Sequence, residues 1–334
     1  TEKELIRAAV YNLNFLNLCD EYLKIPGFKS AVLYFAAHLN EKLSEEKIEK
    51  IREYSHIDYR DLKDGAFDFA WYSDMIWTIP PQTFRQVYEN AKYITVAGLH
   101  KRAQRFFEAL NGEISPEEAK AKILESRNKD YCLIYSLIPL RDKEDLWTRY
   151  LTLSEFLRES KKYGSQRQLS ERRVTDIAFE NLARNAGYED ATVFRCEMEA
   201  GDEQAAALYG GIRIGKYTLK LVPTDTKVAL QIEGENGILS RIPAALAGEE
   251  KVREIAEQQK AEGARRRRLK AGLEEAMEEQ TAFSSAQLGR IARHPLIRFF
   301  LERLILTDGR TACVLCGEEI VDLAGNPLPE GTFT

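Results

Sequence analysis

Apolar residues recur at spacings of three and four along much of the chain. From Glu2 to about Tyr22 the positions Leu5, Ala9, Leu13, Leu16, Cys19 and, just beyond, Leu23 form one stripe and predict a single amphipathic helix. Pro26 and Gly27 end it, and a second helix follows with Val32, Phe35, Ala36, Leu39 and Leu43 on one face. Ser44-Glu-Glu-Lys47 predicts the start of a third, because the Ser44 hydroxyl can accept from first-turn backbone donors. Residues 57–95 are less regular. They are dense in aromatics (Phe67, Phe69, Trp71, Tyr72, Trp77, Phe84 and Tyr88) and interrupted by Pro80-Pro81. Helical spacing resumes over 96–111, 116–127, 129–138, 142–163 and 165–186, with Gly187 placed as a C-terminal stop.

Near residue 208 the period changes from helical to two. Gly210-Gly211 precedes Ile212, Ile214, Tyr217, Leu219 and Leu221, then Val228–Ile232 and a turn at Gly234–Gly237, which predicts a small antiparallel meander of about three strands. So small a sheet must lean on helices. A long charged helix is expected from Glu249 to about Thr281, then an apolar one from Ser284 to Leu306 that Pro295 should split or kink. The fold class read from the pattern is mainly α, a helical-repeat-like array with a small antiparallel β meander and a long charged helix. No strict repeat period is visible. The expected segments are a helical array over 1–205, a β insert over 206–247, the charged and apolar helices over 248–310, and the start of a following hairpin or domain over 311–334.

Composition narrows the function classes. The 334 residues carry 48 Lys and Arg against 53 Asp and Glu, a net charge of −5, so nothing draws the whole chain to nucleic acid or to an anionic membrane. The longest apolar run, Tyr131–Leu140, is far shorter than the ~20 residues that span a bilayer. Five cysteines, an odd number and mostly isolated in apolar segments, argue against a disulfide framework and for a reducing, cytoplasmic compartment. Thr1 opens the chain and Pro329–Thr334 closes on no element, so a piece of a larger protein is expected.

Several motifs look like chemistry. Gly210-x-x-x-x-Gly215-Lys216 matches a phosphate-cradling loop, but Tyr217 stands where a magnesium-binding hydroxyl belongs, and a strand follows where a helix is required. Cys313-Val-Leu-Cys316 has the spacing of half a zinc site, yet a structural zinc needs four ligands and no second pair is present. Arg265, Arg266, Arg267 and Arg268 with Lys270 resemble a nucleic-acid patch. However, 249–280 carries eight basic against nine acidic residues, and four consecutive arginines spread round a helix, so a solvated helix is the expectation. The carboxylates Asp58, Asp61, Asp64 and Asp68 read as a solvated helical face, and the four histidines, His38, His56, His100 and His294, show no ligand spacing. No catalytic residue and no cofactor is assigned.

Three stretches, taken in order, resemble a known family. The first comprises Arg149–Phe156, Glu159–Glu171 with Gln166-Arg167-Gln168, and Asn181–Tyr188 with Arg184-Asn185. The second is Leu273–Met277 and the third His294-Pro295 through Phe299, Phe300 and Leu304. They are similar to the bacterial family typified by the molybdate metabolism regulator. This implies a large cytoplasmic protein with helical repeats, a shared domain without assigned function, and in some members a WGR module. Gln166, Arg167, Gln168, Arg184 and Asn185 are the candidates for specific polar work, since amides and guanidinium forks suit gripping a partner's carboxylate or, the more common outcome, fixing neighbouring helices by hydrogen bonds. The expected function is a non-enzymatic scaffold segment that contacts other domains of its own protein or another protein, with no membrane partner. The alternatives are a nucleic-acid-associated regulator using the arginine run, and part of an enzyme completed by further C-terminal sequence.

Overall fold

The computed structural model describes every residue except 40–41, 95–99, 202, 240, 244–245 and 247. The chain divides into two compact units, Thr1–Glu189 and Asp190–Thr334. It is mainly α with small antiparallel sheets, as the hydrophobic pattern predicts.

The first unit runs through α1 (Glu2–Tyr11), α2 (Leu16–Leu23), α3 (Phe28–Ala37), α4 (Glu45–Arg52), α5 (Tyr59–Asp64) and α6 (Phe69–Thr78). It continues with α7 (Pro81–Asn90), α8 (His100–Leu110), α9 (Pro116–Ser126), α10 (Lys129–Leu137), α11 (Lys143–Ser160) and α12 (Ser165–Asn185). The single helix expected over 2–22 breaks at Asn12, which takes extended backbone (φ −141°, ψ 103°) and accepts the Asn14 amide on its side chain at 3.0 Å. Asparagine competes with the helix for its own neighbouring amides, and here it wins. The apolar stripe survives the break: Ala9, Leu13, Leu16 and Cys19 are buried. The next helix stops at Ala37 with His38 as its C-cap, so Leu43 lies beyond it. Ser44 stands at the N-cap of α4, but its side chain makes no capping bond, whereas Ser115 accepts the Glu118 amide at 3.1 Å. Among its described residues the irregular aromatic stretch holds α5, α6 and α7 and a 3-10 turn at Ala91–Tyr93. Asp58 and Asp68 cap α5 and α6, and Pro81 opens α7 at the position where a missing N–H costs nothing. Of the predicted 96–111 helix, residues 96–99 lie outside the described residues.

Two helices, α3 and α10, are apolar on every side and form the heart of this unit. Residues 30–37 of α3 and 131–137 of α10 are all buried. α10 packs against α8, α9 and α12, while α3 packs against α2, α4, α7 and α8. Around α3 the rings of Tyr34, Phe67, Trp71 and Phe106 surround His38.

The second unit comprises α13 (Ala191–Ala200), α14 (Glu203–Gly210), and the strands β1 (Ile212–Ile214), β2 (Tyr217–Pro223), β3 (Val228–Gly234) and β4 (Gly237–Leu239). After α15 (Glu250–Glu279) come β5 (Phe283–Ser284), α16 (Ser285–Ile291), α17 (Pro295–Leu301), β6 (Leu306–Thr307), β7 (Ala312–Cys316), β8 (Glu319–Asp322) and β9 (Thr332–Phe333). The meander has four strands in sequence order, one more than expected, with Leu219 opposite Ile232 and Leu221 opposite Leu230. α15 lies against β3, while α14 and α17 lie against β2, so meander and long helix share one core. Pro295 divides the predicted helix cleanly into α16 and α17. In the tail β7 and β8 pair as an antiparallel hairpin, and β9 pairs back with β5, Phe333 opposite Phe283, and buries Phe333.

Candidate functional site

The five candidate partner contacts sit at opposite ends of α12. Gln166 and Asn185 are 19 helical steps apart, about 28 Å, so the set forms two separate groups. At the N-terminal end Gln166 is exposed. Arg167 lies over the Tyr163 ring at 4.1 Å and binds Glu171 at 2.8 Å, and Gln168 donates to the Tyr163 carbonyl at 2.5 Å. At the C-terminal end Arg184 reaches Glu180 at 3.4 Å, while Asn185 donates to the carbonyls of Ser136 and Ile138, both at 2.9 Å. Arg167, Gln168, Arg184 and Asn185 thus make contacts inside their own unit.

The Asn185 contacts belong to a larger arrangement at the end of α10. A helix terminus leaves its last carbonyls without amide partners, and this one is buried. Arg149, fully buried, donates to the carbonyls of Tyr135 (3.0 Å), Ile138 (2.5 Å) and Pro139 (3.1 Å), and its charge is matched by Asp145 at 2.6 Å. Arg149 and Asn185 together complete the carbonyl end of this buried helix. A second anchor is Glu171, bound by Arg127 at 2.6 Å as well as by Arg167. Burial works to raise the Glu171 carboxyl, but hydrogen bonds from the two arginines outweigh it and hold the group below its usual range. Asn181 bridges the Phe67 amide and the Gly65 carbonyl, both at 2.9 Å.

The expected solvated arginine helix is not what forms. Arg265 and Arg266 are buried, Arg268 is half-buried, and only Arg267 and Lys270 are exposed. Arg265 binds Glu262, Glu199 (3.1 Å) and the His294 ring (3.2 Å). Arg268 holds Glu199 at 2.5 and 2.9 Å, and Arg266 donates to the carbonyls of Thr224 and Asp225. Tyr209 closes the cluster by donating to Glu262 at 2.6 Å. Burial, together with the neighbouring Glu262 carboxylate, pushes its hydroxyl far above the ordinary range, so it stays neutral. The charges are visible in the sequence, but their inward orientation follows from α13 and α17 packing against α15.

The remaining motifs are built as backbone and core. Gly215 and Lys216 form the two-residue turn of the β1–β2 hairpin, with Gly215 at φ 59° in the left-handed region that glycine tolerates. Cys313 and Cys316 lie three apart on β7 and so point to opposite faces. Cys313 is buried with its thiol on the Leu306 carbonyl at 3.3 Å, and Cys316 is exposed. The two thiols cannot chelate one ion. Burial pushes up the thiols of Cys19, Cys132, Cys196 and Cys313, that of Cys196 to about 12, so none of the four is a thiolate near neutrality. Among the described residues no group of three or more His, Cys, Asp or Glu could hold a metal. The acidic series is also structural: Asp58 and Asp68 cap helices, and Asp61 and Asp64 bind Arg173 at 2.5 and 3.2 Å.

His38 stands alone in the aromatic core. Its Nδ1–H donates to the Tyr34 carbonyl at 2.9 Å, and desolvation pushes its pKa down to about 4. Above pH 6.5 the ring is neutral folded or unfolded. Between pH 6.5 and 4 only the unfolded chain takes up the proton, so stability should fall by about 3 kcal/mol as pH drops through that window. The difference between urea-unfolding curves of the wild-type chain and His38→Phe, measured from pH 8 to 4, isolates this contribution. A pH-independent difference would contradict it.

A cleft of another kind opens between α2, α3 and α6. It is lined by Asp20, Glu21, Lys24, Lys29, Asp74 and Thr78 over a floor of Met75 and Ser30. Elsewhere on this unit large apolar side chains stand in water: Phe15 just before α2, Leu18 and Tyr22 on α2, and Trp77 on α6, which is 87% exposed. Periodicity does not reveal these, since a helical stripe shows which residues could be buried but not which are left uncovered.

No helix of the described residues is long and apolar enough to cross a membrane. No curated protein and no solved structure matches the chain. The model of the family of unknown function DUF5724 matches residues 1–198, which takes in the whole first unit and the opening of the second. That is well over half of the 334 residues, and the chain belongs to this family.

Proposed function

We propose that the chain is a non-enzymatic helical scaffold that binds other proteins, including other domains of the protein it belongs to. The observation that carries this reading is the division of labour among its side chains. The buried charged and amide groups cap helices or cross-link them, whereas Phe15, Leu18, Tyr22 and Trp77 stand exposed to water. Large aromatic and apolar side chains are the kind that protein interfaces bury as anchors. A cytoplasmic, bacterial setting and kinship with the molybdate metabolism regulator family accord with this role, on the strength of the motifs at 149–188, 273–277 and 294–304.

The test is chemical cross-linking and mass spectrometry on the full-length protein isolated from its own cells, with and without nuclease. A protein partner or sister domain cross-linked reproducibly to this chain, indifferent to nuclease, is the expected result. Recovery of the chain with nucleic acid in a nuclease-sensitive complex would favour the arginine run, through Arg267 and Lys270. A chain that cross-links to nothing would end the scaffold reading.

A further inference from the structure

We propose that a pocket framed by α6, α7 and α8 binds a small organic cation with a flat apolar body, an arylalkylamine. The pocket measures 480 Å³, inside the range of about 300–1,000 Å³ usual for small-ligand sites. Its lining follows from helical spacing. α7 supplies Phe84 and Tyr88, one turn apart on a single face, and α8 with the residue after it supplies Phe107 and Asn111 at the same interval. Ile76 and Ile79 close the apolar side from the end of α6. The three rings make one wall: the centroids of Phe84 and Phe107 lie 4.7 Å apart and those of Tyr88 and Phe107 5.5 Å apart, both pairs tilted rather than stacked. Phe84 is buried, whereas Tyr88 and Phe107 are half-buried and leave surface for a ligand's ring to cover.

Charge selects an ammonium group. The charged residues of the lining are Arg85, Glu89 and Glu113, and the cation among them is already taken, since Arg85 binds Glu89 at 3.1 Å. Among the described residues Glu113 has no ion-pair partner within 4.0 Å. The helix end fixes its place. Gly112 takes the left-handed region (φ 72°), and the Glu113 amide donates to the Glu108 carbonyl at 2.9 Å, the long bond of a Schellman turn. Beside it the Asn111 amide donates to the Phe107 carbonyl at 2.9 Å and to the Tyr72 hydroxyl at 3.4 Å, which leaves its side-chain oxygen to accept from a ligand. α6 and α8 both bring their carbonyl ends to the pocket, where helix dipoles favour a cation, while α7 lies along it from Pro81 to Glu89 and adds no net sign. The tyrosines register this field. Burial, with Glu108 and Glu113 nearby, pushes the Tyr88 hydroxyl above its ordinary range, and burial with Glu113 pushes that of Tyr72 to about 12.

The ring wall is preformed. Gln104 of α8 donates to the Tyr88 carbonyl at 2.9 Å, the Tyr88 hydroxyl donates to Glu108 at 2.7 Å, and Phe84 rests on Phe35 of α3 with centroids 5.9 Å apart. A ligand therefore meets ordered rings rather than having to order them. An anion of the same shape would face the carboxylate of Glu113, and an amine without a ring would leave the wall uncovered.

The experiment is calorimetric titration of the whole chain with tryptamine, with its acidic counterpart indoleacetate, and with butylamine, which keeps the ammonium but lacks the ring. Tryptamine should bind and weaken with salt, and neither of the others should bind measurably at about 1 mM. Glu113→Gln should lower tryptamine affinity about tenfold, and Phe107→Leu about fivefold. Arg85→Gln removes a like charge and frees Glu89, so it should tighten binding about threefold at low salt. Glu113 and Arg85 are exposed, so their variants should melt like the parent chain and keep the test clear if Phe107→Leu unsettles the fold. Equal binding of tryptamine and indoleacetate, equal binding of butylamine, affinity indifferent to Glu113→Gln, or no heat from tryptamine would each overturn the inference. None of these results touches the protein-binding reading, which stands or falls on the cross-linking.

Discussion

Arg149→Met should destabilise the first unit by about 3–5 kcal/mol, with loss of hydrogen-exchange protection centred on α10 to α12. The side chain is fully buried, and methionine fills much of its volume, so packing is not the main loss. What disappears is the donor set that completes α10: the carbonyls of Tyr135, Ile138 and Pro139 lose a charged partner, and Asp145 is left without its cation. Each buried acceptor left unmade costs about 1–3 kcal/mol, and Asn185 reaches only Ser136 and Ile138. Arg149→Lys keeps the charge but loses the planar fork and should recover only part of the deficit. Urea unfolding with segment-resolved hydrogen exchange reads both variants. A loss below about 1 kcal/mol for the methionine variant would mean that water satisfies the helix end and that the guanidinium is dispensable to it.

Arg265→Leu should have an effect of similar size, about 3–5 kcal/mol, confined to the second unit. Glu199 would keep Arg268, but Glu262, one of the most buried carboxylates, would lose the Arg265 guanidinium that faces it. The decisive comparison is the pair Arg265→Leu with Glu262→Leu. Removing both charges takes away the desolvation cost along with the attraction, so the double variant should recover most of the loss. Two residues along the same run, Arg267→Glu should change stability by no more than about 0.5 kcal/mol, because Arg267 is exposed. If Arg265 and Arg267 behaved alike, the run would be a solvated face after all.

These two arginines mark where reading the chain by pattern stops. Periodicity places α9 to α12 and α15 to within a few residues, and Pro295 and Gly187 mark breaks that the backbone obeys. Asn12 escapes the pattern because a stripe of apolar residues continues through it, and only its local side-chain bond shows that the helix does not. The meander is legible from its alternation, though its fourth strand, Gly237–Leu239, is too short to show a period. Gln168 and Asn185 attract notice as polar groups near helix ends, and helix ends are where such groups make contacts within their own unit.

The element types and the mainly helical class were determined by the spacing of apolar residues, a local property in which each residue reports on neighbours three or four positions away. Which charges became core and which apolar rings stayed in water was decided by tertiary packing alone. Arg265 and Arg267 are the same residue in the same helix, two positions apart. One meets Glu199, which lies 66 residues away in sequence, and the other meets solvent. Leu16 and Leu18 of α2 differ in the same way. Burial depends on which distant segment arrives at a face, and no local spacing carries that information.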